Sequence, residues 1–471
     1  MLFRSVILPY CIDDSSPWCI ESLNIQKPGI NANETQFLRQ VKGIKTPAYP
    51  DLGFPAGSTI SLWRSKNIFD GGGTETYAVY VMVRFVKLPG KVPSIVNMSA
   101  TVLPYVEVTE DKNSTNQKYY ESQYVRDAQS DGSEKLQIIG GSKECAWTED
   151  RVCGLVEEFP KEVEVSLSMR VGNKLTGWFM GRLQNPVITT ASLNKDQNLL
   201  KIKANPVEVP KFYATTDRRT ASPEITASLP RNSDYYGVRN GLVNDQGAFA
   251  TIATWKSVAK DTAAGVVSTW SATTILNGMG SQCLADKTKV LGVVTTNAMV
   301  YEGTAPRFEN STLNYQVGGM HYNPDGSVFQ GSYDLVMRKA TAQCLYGFTN
   351  APITATVTVV DAGKEERIET SSLQEFGSGN DKWLKLTARG FTFSSPTLKI
   401  KLNQARPVTP APAPSPTPSP SASAAATTQS TTQSAPAPKV VTQKSITCVK
   451  GKVSRKVVGA NPTCPAGFKK K

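Results

Sequence analysis

The residues of this chain whose types and spacing could do chemistry are eight cysteines, one histidine, a few paired acids and a terminal cluster of cations. The cysteines fall into sequence neighbours: Cys11 with Cys19, Cys145 with Cys153, Cys283 with Cys344, and Cys448 with Cys464. None of these is a Cys-x-x-Cys pair, and a single histidine cannot complete a zinc-type ligand set. Structural disulfides are therefore expected, and no metal or other cofactor is. Nearest-neighbour pairing is a preference among many possible connectivities. Disulfides persist in oxidising compartments, so they point to an exported protein. A cytosolic protein with reduced thiols is the alternative.

His321 lies in Gly318-Gly-Met-His-Tyr-Asn-Pro-Asp-Gly-Ser327. A nucleophilic triad would need a serine or cysteine beside it. No G-x-S-x-G elbow accompanies it, every cysteine has a disulfide partner to hand, and Asn323-Pro-Asp-Gly326 is turn chemistry. A structural histidine is the expectation. Two-carboxylate glycosidase chemistry needs a pair of acids facing one another in space. The pairs Glu157-Glu158 and Glu365-Glu366 are adjacent in sequence, which on a strand sends them to opposite faces, so solvated loop charges are expected. Asp111-Lys-Asn113 and Asn194-Lys-Asp196 are oxygen-rich loops that fall short of a calcium loop's ligand count.

The cations have a stronger pattern. Eight of the thirteen net positive charges fall in residues 444–471, which hold no acid. Lys450, Lys452, Arg455, Lys456, Lys469, Lys470 and Lys471, staked by a Cys448–Cys464 bridge, would make a compact polycation suited to cell-wall polyanions or anionic headgroups. The rest of the chain has only a small excess of positive charge, so its composition is not that of a nucleic-acid-binding surface. In front of this module, Pro407 to Pro438 carries nine prolines and no charge, among Ala, Ser, Thr and Gln. Such a segment has no apolar period with which to bury a core and is expected to be an extended, disordered stalk over 406–443.

The body, about 405 residues, is long enough for two domains of ordinary size. Glu75–Lys87 is dense in aromatic and β-branched residues, and Lys91–Leu103 is a second apolar strand. Glu110–Glu134 reads as a long polar loop, and Leu136–Gly140 as a strand. Val163, Val165, Leu167, Met169 and Val171 alternate with polar residues, one face in a core and the other in water. Gly172-Asn173 then reads as a turn, with Leu175–Leu183 as the partner strand. Two prolines near residue 210 suggest a boundary between an N-terminal β domain, 1–210, and a second, 211–405.

In that second domain Phe249, Ile252, Trp255, Val258 and Ala259 follow helical steps over about 246–261. Strands resume at Val290–Val294 and Ser332–Arg338. Ile353, Ala355, Val357 and Val359 alternate with threonines; Leu398, Ile400 and Leu402 alternate with lysines. Trp383–Phe393 reads as a strand pair bent at Gly390. The fold class expected is mainly β: two antiparallel β-sandwich-like domains with one short helix, a stalk, and a small disulfide-closed module over 444–471.

The N-terminus, Met1 to Cys11, has one charge and an apolar run too short for a signal peptide, so a missing leader is expected. No stretch approaches the roughly 18 apolar residues in a row that a spanning helix needs. Ala342-Gln-Cys-Leu-Tyr-Gly-Phe-Thr-Asn-Ala-Pro-Ile353, Trp383-Leu-Lys-Leu386 with Gly390-Phe-Thr-Phe-Ser-Ser-Pro396, and the ending Ile446-Thr-Cys-Val-Lys-Gly-Lys452 with Pro462-Thr-Cys-Pro-Ala-Gly-Phe-Lys-Lys470 resemble a group of uncharacterised secreted or cell-surface proteins of actinobacteria. The resemblance implies export and surface association and carries no catalytic assignment. The reading is an extracellular or cell-surface, non-enzymatic protein whose partner is a cell-wall polyanion or polysaccharide. The alternative is an extracellular glycan-active hydrolase with a wall-targeting tail.

Overall fold

In the computed structural model the chain divides into two compact units, Met1–Pro407 and Val408–Lys471. The residues described are 2–404, less 15, 17, 31–34, 43–46, 50–52, 90–93, 110–122, 129–133, 140–144, 150–151, 174, 218–219, 229–234, 241–245, 276–281, 285–289, 349–352, 362–363, 368–371, 379–381 and 394–396, and 444–470, less 451–452, 460–463 and 465–467. The fold is mainly β with several antiparallel sheets, as the alternating patterns and turn residues require. The stalk, 406–443, lies outside the described residues.

A long sheet runs through the body. Its path is Ser372–Phe376, Trp383–Phe391, Gly331–Arg338, Val290–Thr296, Gly177–Arg182, Gly265–Ile275, Ser94–Thr109, Thr76–Lys87, Ser61–Ser65 and Thr35–Gln40. Every pairing along this path is antiparallel except one, Gly177–Arg182 beside Val290–Thr296. That strand is the junction. Phe179 shares a core with Val165, Leu167 and Leu200, whereas Trp178 and Met180 share a different core with Tyr315, Leu398 and Ile400. Alternate residues of one strand thus point into two cores, as period-two geometry demands.

Each core is closed by its own second sheet. On one side lies a four-stranded sheet in the order Gln184–Ser192, Gln197–Asn205, Glu164–Gly172, Cys19–Gln26. On the other lies a six-stranded sheet in which Thr312–Gly318, Thr397–Gln404 and Ile353–Asp361 are neighbours. The two expected sandwiches are present as cores but share the long sheet. The boundary expected near residue 210 is therefore corrected. The strand Val207–Asp217 crosses it to pair with Gly265–Ile275, and Gly177–Arg182 sits between two strands from beyond it.

Several local expectations change for identifiable reasons. The apolar half of the alternation from Val163 to Val171 is borne out, with all five side chains buried, but the opposite face is not left in water, since Ser168 and Arg170 are buried too. Its partner is not Leu175–Leu183, because both edges of Glu164–Gly172 are taken, by Gln197–Asn205 and Cys19–Gln26. The Trp-Phe-Met run instead reads as a strand buried on both faces, which a continuous rather than alternating apolar pattern signals. Trp383–Phe391 is one strand, not a pair. Gly390, at φ 76°, is an extra residue that shifts the register between Gly331 and Ser332, a β-bulge that only the left-handed glycine permits cheaply. The polar stretch after Glu110 contains a strand, Gln123–Ala128, that pairs with Glu134–Ile139.

The helix foreseen over 246–261 spans Gln246–Trp255. Ile252 and Trp255 are buried against Met299 and Met320, with Phe249, Val258 and Ala259 packed around them. Two more helices, Pro223–Ser228 and Lys339–Tyr346, are too short for their periodicity to stand out. Lys339–Tyr346 carries Cys344 and ends at Gly347, whose φ is 67°. In the C-terminal unit Val453–Gly459, Lys444–Lys450 and Lys469–Lys470 form a three-stranded antiparallel sheet. Among the described residues no helix is long and apolar enough to cross a membrane.

The junction strand yields a direct test. A Cβ on Gly181 would lie 2.0 Å from the backbone oxygen of Ser271 on the neighbouring strand. Gly181→Ala is expected to force those strands apart and to cost at least the roughly 1–3 kcal/mol of an overpacked core, read as a lowered midpoint in chemical unfolding. An unchanged midpoint would show that the strands are not paired as described.

Candidate functional site

The cysteines form bridges between sequence neighbours where both partners are described. Cys11 and Cys19 close a loop of sequence separation 8, with Cα atoms 5.0 Å apart. Cys283 and Cys344 join the turn Gln282–Leu284 to the helix Lys339–Tyr346. Cys153 and Cys464 are also disulfide-bonded; the side chains of Cys145 and Cys448 lie outside the described residues. His321 is held at both ends. Its backbone N–H donates to Asp261 at 2.8 Å, and its Nδ1 lies 3.1 Å from the Phe393 carbonyl, which requires Nδ1 to carry the proton. The following Asn323–Ser327 segment is a closed turn, with Gly326 at φ 82°. Asn194 and Asp196 likewise form a turn, the Asn194 side-chain oxygen accepting the Asp196 N–H. Asp111–Asn113 lies outside the described residues, and among those described no three acids, histidines or cysteines gather into a metal site.

In the C-terminal sheet the register sets Arg455 and Lys470 opposite Cys448, Lys456 opposite Thr447, and Lys469 opposite Val449. Lys469 and Lys470 are exposed. The side chains of Lys450, Arg455 and Lys456, and all of Lys452 and Lys471, lie outside the described residues. The Glu365 and Glu366 backbones pair with Val360 and Val359, consecutive positions on one strand.

Two features of the body were not singled out from the sequence. The first is the outward face of the six-stranded sheet. Leu398, Ile400 and Leu402 point inward, and so do Leu313, Tyr315 and Val317. Their alternation partners must therefore face outward. Thr397, Lys399, Lys401, Asn403, Asn314, Thr356 and Thr358 line a groove of about 670 Å³, joined by Arg307, Glu309, Asn310 and Thr312. The register aligns Arg307 with Asn314, Asn314 with Lys399, and Lys399 with Thr358, one row across four strands. Lys401 faces Thr356 in the next row.

Arg307 is not a loose surface cation. Its Nε lies 3.2 Å from a carboxylate oxygen of Glu302, a side chain only 1% exposed. The other Glu302 oxygen accepts the Gln316 N–H at 3.1 Å, and the Tyr315 hydroxyl donates to the Glu302 carbonyl. A carboxylate taken out of water is costly unless paired, so Glu302 draws the guanidinium to the groove edge as an ion pair, without a hydrogen bond at Nε. The groove therefore offers three cations, four hydroxyls and three amides against one carboxylate, Glu309. The signal that could have found it is the polar half of the alternation in Thr397–Asn403 and Thr354–Thr358.

The second feature is a cleft of about 890 Å³ lined by Glu158, Glu162, Glu208, Lys161 and Arg389 among amides and serines. Of the glutamate pair singled out from the sequence it receives Glu158, whose carboxylate accepts the Ser268 N–H at 2.7 Å. Arg389 is locked by Asp334, which is 1% exposed, through contacts of 2.8 and 2.9 Å. Asn185, at φ 53°, adds its N–H to Asp334 and its side-chain oxygen to Arg389. Burial pushes the Asp334 carboxyl up, against the pull of Arg389.

Comparison with known proteins gave no match: no family model, curated protein or solved structure is significantly similar to the chain.

The Asp334 network makes its own prediction. Asp334→Ala would leave the Arg389 guanidinium and the Asn185 N–H without their buried acceptor. It is expected to cost about 3–5 kcal/mol, the usual penalty for breaking one side of a buried pair, in equilibrium denaturant unfolding. A loss below about 1 kcal/mol would mean that the pair is effectively solvated.

Proposed function

We propose that this is a secreted, cell-surface or envelope-associated binding protein without enzymatic activity. Its body is displayed on the proline-rich stalk and retained by the basic C-terminal module on wall polyanions. The observation that supports it best is the outward face of the six-stranded sheet. A grooved sheet face carrying ammonium, guanidinium, hydroxyl and amide groups suits a hydroxyl-rich polymer that bears acid groups. It offers no buried apolar slot for a small molecule and no nucleophile beside a base. The body thus supplies a second contact to the polymer that the basic module grips, and two modest contacts on one chain strengthen each other through effective concentration. The resemblance to actinobacterial surface proteins fits this reading.

A glycan-active hydrolase is the second reading, favoured by the three glutamates of the cleft. It requires two carboxyls about 5–10 Å apart across the scissile bond, and reducing-end release from wall glycan that is lost in Glu158→Gln or Glu208→Gln would establish it.

The binding reading is tested by co-sedimenting the full chain with isolated actinobacterial cell walls across a salt series. The expected result is binding that falls steeply as screening shortens to about 3 Å at 1 M salt. It should weaken by about 1–3 kcal/mol when Arg307, Lys399 and Lys401 are changed together to alanine, up to about 1 kcal/mol for each exposed pair. A further loss is expected on removing 444–471. Binding that ignores salt and all of these changes would overturn the reading.

A further inference from the structure

The groove contains one donor unit twice. Lys399 has Asn314 across one strand boundary and Thr358 across the other. Two residues along the same strand, Lys401 has Thr356 across the matching boundary, and Thr312, two residues from Asn314, lines the same groove. The unit is an ammonium flanked by small hydroxyl or amide groups. Its repeat is the two-residue step of a strand, about 7 Å. Arg307 stands two strands from Lys399 in the same row, about 10 Å away at the usual strand spacing.

A ligand that uses both units at once must carry acid groups at the same repeat along its axis. We propose, resting on the polyanion reading above, that the groove takes a linear phosphodiester polymer of the polyol phosphate class, lying along the Thr397–Gln404 strand with successive phosphates at Lys399 and Lys401. A polyol phosphate sets one phosphate after each short carbon unit, which matches the short repeat. A chain of alternating uronate and amino sugar has one carboxylate for every second ring, and it cannot seat consecutive acids on lysines so closely spaced. The chemistry of the donors agrees with the spacing. An ammonium is a compact point charge that suits a tetrahedral phosphate, with a threonine hydroxyl free to turn towards the adjoining polyol. Arg307, paired with Glu302, lines the same groove, and a guanidinium can offer a phosphate two parallel donors.

The test uses the full chain and three probes: a short poly(glycerol phosphate) oligomer, glycerol phosphate alone, and hyaluronan. Because the C-terminal module binds polyanions as well, the quantity read is the difference between the wild type and Lys399→Ala/Lys401→Ala by isothermal titration. Lys401 is exposed and Lys399 half-buried, and an unchanged circular dichroism spectrum shows that the variant is folded. The expected result is that the oligomer loses about tenfold in affinity in the double variant and about threefold in either single one. Glycerol phosphate and hyaluronan should lose less than twofold. If hyaluronan loses as much as the oligomer, the groove binds polyanions without regard to spacing, and the phosphodiester assignment falls while the function proposed above stands. If no probe distinguishes wild type from variant, the groove is not a polyanion site: the phosphodiester assignment and the body's second contact both fall, and only retention by residues 444–471 stands.

Discussion

The burial of Gly177–Arg182 on both faces is the constraint on which the rest of the body depends. A strand with Phe179 in one core and Trp178 and Met180 in another needs a sheet above it and a sheet below. The four-stranded and six-stranded sheets supply these, and neither could be removed without exposing one row of large side chains. At about 25 cal/mol per Å² of apolar surface, each row is worth several kcal/mol. This arrangement also explains why the parallel pairing along the long sheet's path lies here. Parallel neighbours are found where both faces are covered.

The same strand ends on a buried charge. The Arg182 guanidinium donates to the backbone oxygens of Thr296 and Met299 and lies 4.3 Å from the centre of the Tyr301 ring. Burial draws its pKa down to about 10, still well above neutrality, so it stays charged and relies on carbonyl dipoles and an aromatic face. The cost of that burial is met by fixing the chain from Thr296 to Tyr301. The next residue is Glu302, the buried carboxylate that holds Arg307 at the groove. The groove's cationic edge is thus tied to the core through a short, continuous stretch of backbone, which keeps it in place for binding.

Much of this was legible in the sequence where one face of an element is wet. The alternations at Ile353–Val359 and Leu398–Leu402 mark strands because water enforces the pattern, and that at Val163–Val171 because its apolar half fills a core, although Ser168 and Arg170 are buried on the other face. The helical spacing from Phe249 to Ala259 marks a helix for the same reason. Legibility failed where both faces are dry. Trp178-Phe-Met180 has no alternation to read, and nothing in its pattern distinguishes a place in the long sheet from one beside its sequence neighbour. The prolines near residue 210 looked like a boundary because they interrupt local pattern, yet Pro210 lies within a strand and pairs with Val266. The groove was half visible. The leucines and isoleucines of its strands identified a core, while the lysines and threonines between them passed as mere solvent-facing residues. What could not be read was that strands far apart in sequence lie side by side in the sheet and align those residues in rows.

If the two cores share one sheet, they must be lost together. Differential scanning calorimetry of the full chain, alongside Phe179→Ala and Trp178→Ala, tests this most directly. A single transition of the body is expected, with calorimetric and van't Hoff enthalpies in agreement. Each variant should lower that same transition without splitting it, at the roughly 3–5 kcal/mol of a large aromatic truncation. Two separable transitions, one sensitive only to Phe179 and the other only to Trp178, would contradict the account and restore two independent domains.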